Sequence, residues 1–123
     1  MQLVRLCLLL VPLGASAAQA DPVVPDWLPA AIDMPADADV TASRDIGDFF
    51  RMVKISTSEN APDLLTRWEA ALDAGGYEID RDRDVGEERS VHFTGQDILN
   101  GQIVIEPSGP GKPAVIAIDA TLR

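Results

Sequence analysis

The densest run of groups able to do chemistry is Asp80-Arg81-Asp82-Arg83-Asp84-Val85-Gly86-Glu87-Glu88. Carboxylates at alternating positions can gather several oxygens on a hard cation such as calcium, which makes Asp80, Asp82 and Asp84 the candidate metal ligands. The EF-hand spacing fails twice here. Val85 stands where the loop needs Gly for its sharp turn, and Val91 stands where the bidentate Glu belongs. Arg81 and Arg83 also neutralise the cluster. On a strand the three aspartates would share one face and the arginines the other, so the run reads as a solvated hairpin.

His92 is the only histidine in the chain, and one histidine cannot build a metal cluster. A hydrolytic triad would pair it with a serine and an acid, yet no Gly-x-Ser-x-Gly turn is present and Ser90 lies two residues away on the same expected strand. The alternating pattern sets His92 opposite Val91 and Phe93, as a structural or surface histidine. Gly109-Pro110-Gly111-Lys112 lacks the Ser/Thr and the helix that complete a phosphate loop, and reads as a hairpin turn. The 20 Asp and Glu residues leave a carboxylate-type hydrolase open, but its defining separation is a tertiary distance. No catalytic residue and no cofactor is assigned.

The elements that must position these groups fit in one domain of 123 residues that is 46% hydrophobic. Ten Lys and Arg against 20 Asp and Glu give a net charge of −10. That balance excludes a phosphate-backbone binder, which needs a basic patch to displace counterions. The apolar content in turn excludes an acidic disordered tail.

Residues 1–20 read as a cleavable secretory signal. Arg5 precedes the apolar run Leu6-Cys7-Leu8-Leu9-Leu10-Val11, and Ala18-Gln19-Ala20 ends the segment before Asp21. The apolar run falls short of the about 20 residues a spanning helix needs, and Pro12 and Gly14 interrupt it. Cys7 sits inside the run, whereas a lipidated cysteine follows it. Cleavage between Ala20 and Asp21 would give a periplasmic or secreted chain with no cysteine, no transmembrane anchor and a still more acidic balance.

Residues 21–39 form an arm in which Pro22, Pro25, Pro29 and Pro35 forbid a long helix, while Trp27, Leu28, Ile32 and Met34 make it too apolar for a solvated linker. The α+β domain follows over residues 40–123. Val40 to Ile46 and Phe49 to Ile55 read as two strands joined by a tight turn. Asn60-Ala-Pro-Asp63 starts a helix with Asn60 as N-cap, and Ala61, Leu64, Leu65, Trp68, Ala71 and Leu72 repeat at helical spacing until Gly75-Gly76 stops it. Strands are expected at Tyr77–Ile79, Val91–Phe93, Ile103–Ile105 and 114–122, with Asn100-Gly101 as a hairpin turn pair. The order β-β-α-β-β-β-β predicts an α+β fold, a single antiparallel sheet of about five to six strands with one amphipathic helix on one face.

Arg67-Trp68-Glu-Ala-Ala-Leu72-Asp-Ala-Gly-Gly-Tyr77, preceded by an apolar strand and followed by Val91-His-Phe93-Thr-Gly95 and a hairpin, resembles small uncharacterised bacterial envelope and periplasmic α+β proteins. The resemblance covers about residues 48–122 and is one of packing. It implies an exported α+β fold and carries over no catalytic residue.

Phe49 to Ile55, Ile103-Val104-Ile105 and Val115 to Ile118 run almost without polar alternation, which predicts a sheet covered on both faces. One helix covers one face. The arm, a second copy or a ligand must cover the other, and the candidate partner or ligand surface is Trp27, Leu28, Phe50 and Met52. The expected role is an exported, non-catalytic binding or interaction module of the cell envelope, contacting an envelope protein or itself. The alternatives are a small divalent-cation or apolar-ligand binding protein and, behind it, the hydrolase.

Overall fold

In the computed structural model, residues 24–81 and 89–123 are described. They build the expected order: β1 (Asp39–Ile46), β2 (Phe50–Thr57), α1 (Ala61–Ala74), β3 (Glu78–Ile79), β4 (Ser90–Gly95), β5 (Ile98–Glu106) and β6 (Ala114–Leu122). The strands form one antiparallel sheet in the order β1-β2-β6-β5-β4-β3. The α+β fold with a single helix is therefore the architecture.

Local chemistry sets the helix ends. The Asn60 side chain accepts a hydrogen bond from the Asp63 backbone N–H at 3.0 Å, and Pro62 sits in the first turn, where no N–H is needed. At the other end the Tyr77 N–H bonds to the Leu72 carbonyl and the Gly76 N–H to the Asp73 carbonyl, a Schellman closure that sets Gly76 at φ +95°. Leu64, Leu65, Trp68 and Leu72 are fully buried against the sheet.

A helix is about 10–12 Å across, while six strands at about 4.8 Å spacing span more than twice that width. The helix packs chiefly over β3 to β6 and leaves the β1–β2 side of the same face to another cover. The arm supplies it. Its path is three proline turns, in which the carbonyls of Pro25, Pro29 and Pro35 accept from the N–H groups of Leu28, Ile32 and Ala38 at 3.0–3.1 Å. Leu28, Ile32 and Ala38 enter the same core as Val53, Ile55, Ile116, Ile118 and the helix. The arm thus lies beside the helix, and the expectation that it covers the opposite face is corrected: the β1–β2 side of the helix-side face needed a cover first.

Two polar ties hold the arm in place. The Trp68 indole N–H donates to the Asp33 carbonyl at 2.9 Å. At the end of β2 the Asp37 carboxylate accepts from the Thr57 hydroxyl at 2.6 Å, from the Ser58 N–H at 2.8 Å and from the Ser58 hydroxyl. These donors, chiefly the Ser58 and Thr57 side chains, hold the Asp37 carboxyl at about 2, well below its ordinary value. A carboxyl lowered on folding stabilises the fold above its unfolded value, and that contribution fades as pH falls toward 2. Asp37→Asn should therefore melt below the parent at neutral pH, with the gap closing between about pH 4 and pH 2 in a thermal-melt series. An equal gap at every pH would show that the carboxylate is not the tie.

The Asn100-Gly101 pair is not the hairpin turn expected from its composition. Both residues lie within β5, and the β4–β5 turn is Gln96-Asp97, with Gln96 at φ +52°. Gly101 pairs with Phe93, whose ring lies over it; an ideal Cβ there would stand 2.6 Å from Cε2 and 2.7 Å from Cε1. Glycine is required for packing and not for a turn. Tyr77 meets the same ring edge-to-face at a centroid distance of 5.7 Å. Gly101→Val should cost about 1–3 kcal/mol, read as a lowered urea midpoint with the sheet spectrum retained; an unchanged midpoint would contradict this packing.

Candidate functional site

Strand register divides the side chains cleanly. The helix and arm cover Val53, Ile55, Ile103, Ile116, Ile118, Val91 and Phe93. The alternate residues form the opposite face, which is the candidate site. Its central rows run Arg44–Met52–Asp119–Gln102–His92 and Ala42–Lys54–Ala117–Val104–Ser90 across β1, β2, β6, β5 and β4. Phe50, Met52, Val104, Val115 and Ala117 are half-buried there, and Ile46 at the β1 end is 57% exposed. No described helix or arm segment lies on this face.

Its electrostatics are local. Lys54 Nζ reaches Glu106 at 3.0 Å, pairing one cation with one carboxylate. Asp119 has no hydrogen-bond or ion-pair partner among the described residues, and burial raises its carboxyl above the ordinary value while the charge of His92 draws it partly back. Arg44, two strands away in the same row, is exposed and likewise without an ion-pair partner among the described residues. His92 lies 3.4 Å through Nε2 from the Ser90 hydroxyl, and its Nδ1 is buried without a hydrogen-bond partner among the described residues. A triad needs an acid on that second nitrogen to orient the ring. The Ser90–His92 contact thus stays a contact between two residues of one face.

The other candidates fall apart in space. Trp27 and Leu28 belong to the helix-side core, with Leu28 only 7% exposed, whereas Phe50 and Met52 lie on the opposite face. An arm-end cleft of about 590 Å³ adjoins Trp27, Ser43, Asp45 and Arg51 at the edge of that core. Asp80 is exposed just after β3, where its N–H donates to the His92 carbonyl at 2.8 Å. Asp82 and Asp84 lie outside the described residues. Among the described residues no three His, Cys, Asp or Glu side chains gather at metal-binding distance.

No family model, curated protein or solved structure matches this chain. The site must therefore be read from its own geometry. Sequence reasoning missed Arg44, Gln102 and Asp119 as members of one row. The available signal was Asp119, a charge on the wet register of the otherwise apolar strand Val115-Ile116-Ala117-Ile118.

Proposed function

We propose that the chain is an exported, non-catalytic interaction module of the bacterial cell envelope that binds its partner through the open face of the sheet. One observation carries this reading. The face opposite the helix and arm presents half-buried Phe50, Met52, Val104, Val115 and Ala117 under no described element. They interleave with Arg44, Lys54, Asp119, Gln102 and His92 in the same rows, a mixed apolar and polar surface of the composition protein interfaces have. The leader-like residues 1–20, the envelope-protein resemblance of the segment from Arg67 to Gly95 and the acidic balance support the location. No described helix is long and apolar enough to cross a membrane.

Two measurements test it. Mass spectrometry of the exported chain should find Asp21 at the N-terminus; intact Met1 in that fraction would reject export by cleavage. A photo-crosslinking amino acid in place of Met52 should form adducts in cells exporting the full chain, while the same group in place of Arg67, exposed on α1, should not. Equal yields from both positions, or none from Met52, would sink the open-face reading.

A further inference from the structure

We propose that the partner of the open face is a second copy of this chain, in a two-fold dimer that sets Arg44 of each copy against Asp119 of the other. The inference rests on the open face being a binding surface. Two-fold interfaces are self-complementary, so a contact from i to j recurs from j to i. An axis along β2 exchanges its two neighbours, β1 and β6. Arg44 and Asp119 flank Met52 on those neighbours in one row, about 10 Å apart by two strand spacings. The rotation therefore makes the Arg44–Asp119 contact twice, and Met52 and Phe50 of the two copies meet on the axis.

Charge selects this arrangement. The chain carries −10 overall, a repulsion that opposes self-association. On the three strands that would meet, the described charged side chains of the open face are Asp39 and Asp119 against Arg44 and Lys54, in balance, while Glu106 and Glu78 stand outside them on β5 and β3. Two acidic copies can approach here with the least repulsion. The two Lys54 residues that meet are each held by their own Glu106 at 3.0 Å. An axis along β6 would instead bring Asp119 onto Asp119.

Edge pairing is the poorer route. β1 is a charged edge with a bulge between Val40 and Ala42, a device that discourages strand addition. The shared footprint is three strands by eight residues, about 14 by 26 Å, which places the dimer among small, reversible interfaces.

Sedimentation velocity of the purified chain across a concentration series provides the test. The parent should shift from monomer to dimer with concentration. Arg44→Asp and Asp119→Arg should each weaken association at least about tenfold, and the double exchange should restore it. A parent that stays monomeric, single variants that dimerise like the parent, or a folded double exchange that fails to recover would each overturn the dimer. Arg44 is exposed, so Arg44→Asp alone decides the matter if Asp119→Arg does not fold. The Met52 photo-label separates the two readings: adducts with a different protein overturn the dimer while keeping the open face as a binding surface, and no adduct removes both.

Discussion

Trp68→Ala is expected to lower stability by about 3–5 kcal/mol, out of a total of about 5–15 kcal/mol for a domain of this kind. Trp68 is fully buried on the sheet-facing side of α1 and is the largest side chain with no exposure. Its loss leaves a cavity beneath the helix and removes the indole N–H that ties Asp33 of the arm at 2.9 Å. Both covers of the sheet thus loosen together. Trp68→Phe separates the two effects, because it keeps an aromatic ring in the core while removing the donor to the Asp33 carbonyl, at a cost of about 0.5–1.5 kcal/mol for that bond. Urea unfolding followed by far-ultraviolet circular dichroism measures both variants. A midpoint barely altered by Trp68→Ala would contradict the position of the helix face.

Removal of residues 21–36 has the second large effect. Leu28 and Ile32 are 7% and 3% exposed, and each contributes about 1.5–3 kcal/mol through burial. The deletion also opens the core around Val53 and Ile55, which Leu28 and Ile32 share. The shortened chain should bind a hydrophobic dye and melt well below the parent. A truncated chain that binds no dye and melts at the parent temperature would show that the arm is a free tether.

The parts legible in the sequence were those fixed by neighbours. Asn60, Pro62, the spacing from Ala61 to Leu72 and Gly75-Gly76 specify α1 within one short stretch, and the succession of strands along the chain followed from alternating runs and turn residues, whereas their order across the sheet did not. Two features depend on tertiary contacts. Asn100-Gly101 has the composition of a hairpin turn, but the ring of Phe93 claims the space over Gly101 and moves the turn to Gln96-Asp97. Trp27 and Leu28 announce that the arm is buried, yet no periodicity states which face receives it; the width of the sheet relative to one helix decides that.

The candidate site was the least legible part for the same reason. Phe50 and Met52 stand out as apolar residues, but Arg44, Asp119, Gln102 and His92 come from four strands and meet in one row only through the β2–β6 pairing, which joins Met52 to Asp119. Register between distant segments is set by the whole sheet and is not written near either residue.

We propose that one face of the sheet is closed within the chain and the other is kept for a partner. Hydroxyl-radical footprinting read by mass spectrometry tests it most directly, comparing the dilute purified chain with the chain in its cell envelope. In the dilute chain Met52 and Phe50 should be labelled well ahead of Trp68 and Phe93, and in the envelope Met52 and Phe50 should become protected while Trp68 and Phe93 stay unchanged. Protection of Met52 equal to that of Trp68 in the dilute chain, or undiminished labelling of Met52 in the envelope, would contradict the claim.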